Sequence, residues 1–194
     1  MGFTHLQIRS GYSLYNSAVK IDPLVKRAHE LQFDALALTD EGVLYGAIPF
    51  YEACIKYGIK PIIGLALTVE LADERYNCLL YAKSNEGYQQ LIELSTLYEA
   101  FNERSFERLF KPTSEIICVV HTKSKLTYSL LQEEQFSLLL EKLQPFVNVF
   151  TVNNVYLGLE RLESLDDILI EKALKFSEEM NIRAVALHDV RYIM

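Results

Sequence analysis

The residues best placed to do chemistry are Asp40 and Glu41, which follow the apolar run 35–38 and precede Gly42. A short run of this kind that ends in a polar cluster is typical of a buried parallel strand. Because α/β folds build their sites at the carboxyl edge of such strands, the two carboxylates are predicted to lie at a site. Their oxygens could hold a metal ion or pair with cationic side chains.

Two histidines, His121 and His188, also follow apolar runs of strand length. We interpret each as a hydrogen-bonded histidine near the edge of the sheet. Three tyrosines could line a cleft or pack in the core: Tyr12, Tyr45 and Tyr51. The sequence contains no GxSxG, P-loop or dinucleotide-binding pattern, which leaves nucleotide-binding and serine-hydrolase functions without support.

The elements that must position these residues alternate along the chain. Apolar runs predict strands near residues 3–8, 35–38, 60–69, 76–82, 116–120, 146–152 and 184–187. Amphipathic spacing predicts helices that begin near residues 22, 47, 84, 129 and 164, the fourth ending at 143. Residues 102–114 have no clear period and are predicted to be a loop. This alternation predicts an α/β fold with a largely parallel sheet or a closed barrel, and periodicity alone does not choose between the two.

Composition sets further limits on function. At 194 residues, half of them hydrophobic, the chain is long enough for one compact domain with a sizeable core. A net charge of -7 argues against a domain that grips phosphate backbones by itself. The three cysteines lie in apolar runs without CxxC spacing, so we expect reduced core thiols. The absence of a long apolar run or a signal peptide predicts a cytoplasmic protein without a membrane partner.

Five blocks of sequence carry a family pattern: residues 3–14, 37–40, 58–64, 82–88 and 188–192. In order and spacing they resemble the N-terminal PHP (polymerase and histidinol phosphatase) domain of the bacterial DNA polymerase III alpha subunit, specifically the DnaE type of Gram-positive bacteria. The resemblance implies a distorted seven-stranded β/α barrel whose active relatives hold up to three metal ions at the carboxyl ends of the strands. It also implies that residues 1–194 form a single domain, cut from the N-terminus of a longer polymerase chain.

The first half of the family's metal-binding pattern is largely replaced. Active relatives begin with a His-X-His motif, whose two positions here are Gln7 and Arg9. The family's aspartate farther along this motif is Asn16, and its Asp-His pair after the second strand is Asp40-Glu41. A guanidinium at a ligand position repels a metal ion.

The second half of the pattern departs from the family in the same way. The family's glutamate after the third strand is Ala66, and its histidine at the fourth strand is Asn77. In the last motif the aspartate is retained as Asp189, but the following histidine is Arg191. His5 precedes the His-X-His positions and is predicted to pack structurally.

Three ligands survive this comparison: Asp40, Glu41 and Asp189. A zinc or manganese site needs about three or four well-placed ligands with supporting hydrogen bonds, so the survivors do not predict a multinuclear centre. We expect Arg9 and Arg191 to occupy the space of the metal ions and to form salt bridges with the remaining carboxylates.

The resemblance therefore predicts a catalytically inactive, metal-free structural and docking domain. Its expected partners are the downstream polymerase domains and other replisome proteins, and it would meet DNA only through the parent protein, a DNA-directed DNA polymerase that uses magnesium. The alternative is a metal-dependent 3′–5′ exonuclease or phosphoesterase that holds zinc or manganese through Asp40, Glu41, His188 and Asp189. A free-standing histidinol-phosphatase-like enzyme is a third possibility, weakened by the same missing ligands.

Overall fold

The computed structural model describes residues 4–13, 17–161 and 166–191. Within these residues the strands are β1 (Gln7–Ile8), β2 (Ala35–Glu41), β3 (Lys60–Leu71), β4 (Glu74–Ala82), β5 (Ile116–His121), β6 (Val155–Glu160), β7 (Arg183–Leu187) and β8 (Asp189–Val190). The helices are α1 (Ile21–Glu30), α2 (Ala47–Tyr57), α3 (Asn85–Ala100), α4 (Phe106–Leu109), α5 (Lys125–Gln132), α6 (Phe136–Phe150) and α7 (Asp166–Met180). None of the helices in the described residues is long and apolar enough to cross a membrane.

Six of the strands form one curled sheet in the order β2-β3-β4-β5-β6-β7. The sheet is mixed rather than largely parallel, because β4 runs antiparallel to both β3 and β5. A two-residue turn causes the reversal: Ala72 and Asp73 both have positive φ angles, of 50° and 64°. This backbone geometry suits a tight hairpin, but neither residue is a glycine or asparagine, so the sequence carries no strong turn signal.

The short strands β1 and β8 pair in parallel across the opening of the curled sheet, with Gln7 opposite Asp189. β1 also lies beside β2, since the Ile8 amide donates to the Thr39 hydroxyl at 3.2 Å. The inner face of the sheet encloses an apolar cluster that includes Ala37 and Leu187. The α/β class is therefore confirmed, and the predicted barrel is a half-barrel of six strands with the β1–β8 pair across its opening.

The helices cover the outer surface of the sheet. The larger outer core contains an aromatic group in which the ring centroids of Phe106 and Phe146 lie 4.6 Å apart. A separate core lies under α1 and α2, where Val25 and Phe50 pack against Leu36 and Leu38 of β2. The two cores hold β2 and β5 at fixed positions, and the carboxyl ends of these strands provide part of the candidate site.

The elements between residues 129 and 160 differ from the prediction. The helix predicted over 129–143 is divided between α5 and α6, and the strand predicted over 146–152 mostly belongs to α6. Phe146 and Phe150 lie one turn apart and continue the buried stripe that begins at Phe136, so helical packing prevails over the strand-like composition of this run. The strand in this region is β6, which the sequence analysis missed. The loop predicted over 102–114 contains the short helix α4.

Candidate functional site

A cavity of about 290 Å³ lies at the carboxyl ends of the parallel strands. Seven of the nine positions predicted from the sequence line it: Gln7, Arg9, Glu41, Ala66, Asn77, Asp189 and Arg191. Asp40 does not line the cavity, and Asn16 lies outside the described residues. The fold thus brings most of the predicted positions together, although they come from both ends of the chain.

Arg9 joins two of the remaining carboxylates. Its Nη1 lies 2.5 Å from Oε2 of Glu41 at the end of β2, and its Nε lies 3.4 Å from Oδ1 of Asp189 on β8. Only 15% of the Arg9 side chain is exposed. Because β1 lies between β2 and β8, the arginine that follows it reaches both neighbours.

Arg191 holds the other oxygen of Asp189. Its Nη2 and Nε donate to Oδ2 at 2.6 and 2.8 Å. The hydrogen bond to Asp189 raises the pKa of the Arg191 guanidinium. Asp189 is thus contacted by two guanidinium groups, and only 13% of its side chain is exposed. The salt bridges predicted for Glu41 and Asp189 are present.

Asp40 has different partners from those predicted. Its carboxylate is buried and accepts hydrogen bonds from the Ser10 amide at 2.6 Å, the Ser10 hydroxyl at 2.7 Å and the Ser13 hydroxyl at 2.7 Å. Ser10 and Ser13, in the loop that follows β1, therefore donate the hydrogen bonds that were expected from an arginine. The reason is the alternation of side chains along a strand: Glu41 points into the cavity, and Asp40 points to the same face as Leu38 in the core beneath α1 and α2.

The cavity holds a second polar group, made of His121, which the sequence analysis placed near the sheet edge, and of Glu160 and Lys123, which it missed. His121 ends β5 and Glu160 ends β6, with Nε2 of His121 3.6 Å from Oε2 of Glu160. The Lys123 amide donates to Nδ1 of His121 at 3.2 Å, and the Lys123 ammonium lies 3.1 Å from Asp166. Burial lowers the pKa of His121, although Glu160 acts in the opposite direction. Glu160 escaped prediction because β6 was not recognised as a strand, and hence its last residue was not placed at the sheet edge.

These residues do not fit a multinuclear metal centre. In the described part of the chain, no three His, Cys, Asp or Glu side chains are arranged to hold a metal ion. The buried Oε1 of Gln7 has no hydrogen-bond partner there, but one amide oxygen beside guanidinium groups is a poor ligand set. The side chains of Arg9, Lys123 and Arg191 also line the cavity, so three cations share the space with the carboxylates.

The four-residue set proposed for a reduced metal site is not assembled either. Glu41 and Asp189 line the cavity, whereas Asp40 and His188 do not. His188 is exposed, and its ring lies 6.0 Å from that of His5. Burial, with a smaller contribution from His188, lowers the pKa of His5.

Comparisons with known proteins identify related sequences. The sequence profile of the PHP domain matches residues 5–161. DNA polymerase III subunit alpha of Bacillus subtilis is 37% identical across the whole chain, and the same subunit of Halalkalibacterium halodurans is 32% identical over 98% of it. In each case the chain spans only 18% of the relative's length.

Solved structures share the fold at much lower identity. A protein of Bifidobacterium adolescentis assigned as a metal-dependent phosphoesterase is 12% identical with a TM-score of 0.62, over 97% of this chain and 87% of that one. An amidohydrolase from Chromobacterium violaceum, with bound sulfate and no metal, is 11% identical with the same TM-score and the same coverage. From the profile match and the identity to the polymerase subunits, we conclude that the chain belongs to the PHP domain family and is homologous to the N-terminal region of DNA polymerase III alpha subunits.

Proposed function

We propose that this PHP domain is a catalytically silent, metal-free structural domain of a replicative DNA polymerase alpha subunit. The observation that carries the proposal is the position of Arg9, whose guanidinium contacts both Glu41 and Asp189 in the cavity where relatives would place metal ions. A cation of this kind neutralises the carboxylates and repels a divalent ion.

The arginines take over the structural role that metal ions would have at this site. A metal centre at the carboxyl edge ties together the ends of several strands. Here Arg9 links β1 to the ends of β2 and β8, and Arg191 adds a two-donor contact to Asp189. The hydrogen bond between Arg9 and Glu41 is partly buried, and a charged hydrogen bond of this kind is stronger than a surface ion pair. Arg9 can therefore help to hold the opening of the half-barrel together.

The wider role follows from the relatives. In a protein of their kind, other domains of the same chain would carry out DNA-templated synthesis with magnesium, in the cytoplasm and alongside other replisome proteins. The chain's net charge of -7 supports a domain that meets DNA only through those other domains.

One observation favours a second candidate, a metal-dependent phosphoesterase or 3′–5′ exonuclease. The cavity retains three carboxylates and an imidazole, from Glu41, Glu160, Asp189 and His121. A zinc or manganese ion held there would supply a hydroxide for attack on phosphorus. The three cationic side chains in the same cavity make this the weaker candidate.

The test combines metal content with hydrolysis. Protein purified without a chelator is analysed for zinc and manganese, and is assayed in manganese for release of nucleotides from 3′-ended DNA. We expect substoichiometric metal and no hydrolysis. Near-stoichiometric metal with metal-dependent hydrolysis would overturn the proposal and favour the phosphoesterase.

A restored variant supplies the matched control. Histidine is introduced at Gln7, Arg9, Glu41 and Arg191 together, which removes two cations and adds four imidazoles. We expect elemental analysis to find bound metal in this variant. That result would show that the analysis detects metal held by this fold. A wild-type chain that bound as much metal as the variant would contradict the replacement of metals by arginines.

A further inference from the structure

Helix α2 is apolar on two faces. Its buried face packs on the core beneath α1 and α2 through Ala47, Phe50, Ala53 and Cys54. On a second face, Ile48, Tyr51 and Ile55 are 56%, 50% and 58% exposed. Their spacing of three and four residues places them in one stripe. A helix that is apolar on both sides usually has a partner on each, and only one partner is present in the described structure.

The exposed stripe borders a groove of about 390 Å³ between α2 and α3. Pro61 and Ile63 of β3 line the groove together with Tyr88 of α3. Ile92, one turn beyond Tyr88, is 43% exposed. At the other end Tyr45 is 70% exposed, and its ring packs edge-on against that of Tyr12 with 6.5 Å between centroids.

We define the α2 face as Tyr45, Ile48, Tyr51, Ile55, Tyr88 and Ile92. Tyrosine and large aliphatic side chains are typical of the centre of a protein interface, where charged residues are depleted. The lysines that border this face are engaged elsewhere, because Lys56 pairs with Asp22 at 3.0 Å and Lys83 donates to the Ser114 carbonyl at 2.8 Å. Such a face is suited to an apolar partner rather than to nucleic acid.

We propose that the α2 face docks on another domain of the same polypeptide in alpha subunits that carry this chain. The inference rests on the proposed function in one respect, since it requires that the chain is joined to the other domains of an alpha subunit. The matched relatives have about four-fifths of their length outside the region of similarity, since the chain spans 18% of them. A covalently attached domain has a high effective concentration, of the order of millimolar for a short flexible linker, so a face of modest area suffices.

The partner is expected to present apolar side chains that fill the groove, and hydrogen-bond acceptors for the hydroxyls of Tyr45, Tyr51 and Tyr88. The α2 face lies outside the half-barrel and shares no residue with the cavity that holds Arg9. Docking and the chemistry of the cavity can therefore be tested separately.

The test places the chain in a full-length subunit. In a chimera, this chain replaces the homologous N-terminal region of the Bacillus subtilis alpha subunit, and polymerase activity verifies that the remainder is folded. Oxidative footprinting then compares tyrosine modification in the chimera and in the chain alone. We expect Tyr45 and Tyr51 to be protected in the chimera, whereas Tyr128, which is 44% exposed on α5, is modified equally in both.

Matched double variants test the energetic role of the face. Tyr51→Ser with Ile55→Ser removes the centre of the α2 face, and Ile168→Ser with Leu174→Ser removes two comparably exposed apolar residues of α7. We expect the first pair to shorten the half-life of polymerase activity on heating at least about twofold, because truncation at an interface centre mainly speeds dissociation. The α7 pair should leave the half-life unchanged.

Several outcomes would overturn the inference. Equal modification of Tyr45 and Tyr51 in the two contexts would show that the face stays exposed. A half-life that the α7 pair shortens as much as the α2 pair would show that the α2 face has no specific role. Self-association of the chain alone, abolished by the α2 pair in sedimentation experiments, would assign the face to a second copy instead. Metal binding with hydrolysis, accompanied by protection of the tyrosines, would overturn only the proposed absence of activity.

Discussion

The substitution Arg9→Ala tests the central physical claim, that a guanidinium holds the strand ends together. The change removes the contact to Glu41 at 2.5 Å and the contact to Oδ1 of Asp189 at 3.4 Å. It leaves the backbone hydrogen bond from the Arg9 amide to the Val190 carbonyl in place, so β1 can still lie beside β8. The effect therefore reports on the side chain.

The magnitude follows from burial. Asp189 is 13% exposed, and its Oδ1 accepts no hydrogen bond among the described residues, so the substitution removes the ion pair between this oxygen and Arg9. Leaving a buried polar group without its partner costs about 1–3 kcal/mol, and a fully buried charge would cost more. Arg191 still holds the other oxygen of Asp189, so we expect a loss of about 1–3 kcal/mol in the free energy of unfolding.

The assay is thermal and urea unfolding at neutral pH. For a domain of this size each kcal/mol lowers Tm by about 2–4 °C, so Arg9→Ala should lower it by about 2–12 °C. Arg75→Ala is the matched control, because the Arg75 side chain is 77% exposed in its pair with Glu70. Pairs of this kind contribute little to stability, and the control should unfold with the wild type.

A double-mutant cycle isolates the pair itself. Glu41→Gln is combined with Arg9→Ala, and the coupling free energy is the difference between the double variant and the sum of the single ones. We expect a favourable coupling of at least about 0.5 kcal/mol. A wild-type Tm for Arg9→Ala, or a coupling indistinguishable from zero, would refute the structural role of the arginine.

Three further predictions concern buried groups and one helix end. Asp40→Asn should lower the free energy of unfolding in urea by about 1.5–3 kcal/mol, because three hydrogen-bond donors face its buried carboxylate. The control Asp34→Asn changes an exposed residue and should leave the free energy of unfolding unchanged. Equal effects of the two substitutions would contradict this prediction. Burial lowers the pKa of His121 below its ordinary value of 6.5, so the unfolded state binds more protons and stability falls as pH drops below about 6.5. His121→Gln should reduce the slope of the free energy of unfolding against pH below about 6.5, whereas His29→Gln, at an exposed position, should not. An unchanged slope for His121→Gln would refute this prediction. Gly58→Ala should cost about 1 kcal/mol in thermal unfolding because Gly58 ends α2 with a φ of 70°, and a wild-type Tm would oppose this explanation.

Local signals in the sequence predicted most of the elements correctly. Gly58 ends α2 in the left-handed region, which favours glycine, and Ser84 accepts a hydrogen bond from the Gly87 amide at the start of α3, which was predicted to begin near residue 84. These features depend on residues a few positions apart, so they can be read from the sequence. The β3–β4 hairpin and the extent of α6 were missed, because the turn of the former contains no glycine or asparagine and the latter has a strand-like local composition.

The candidate site was predicted in part. The family pattern identified positions 7, 9, 41, 66, 77, 189 and 191, all of which line one cavity. Pairing between a particular arginine and a particular carboxylate was less predictable. Asp40 and Glu41 are adjacent in sequence, yet strand alternation directs one to the serines and the other to Arg9. Glu160 is assigned to the site only by the tertiary structure, which pairs β6 with β5.

The sequence by itself determined the α/β alternation, the end of α2, the start of α3 and the replacement of most family ligands by residues that do not bind metal. Those properties depend on residue type and short-range spacing. Only the tertiary structure decided that Arg9 bridges Glu41 and Asp189, that Asp40 faces away from the cavity, and that α2 exposes an apolar stripe. The bridge made by Arg9 depends on closure of the half-barrel, which pairs β1 with β8 from opposite ends of the chain, and such long-range pairing leaves no local signal in the sequence. The surroundings of Asp40 and of the α2 stripe depend on which elements pack against β2 and α2, which short-range spacing does not specify.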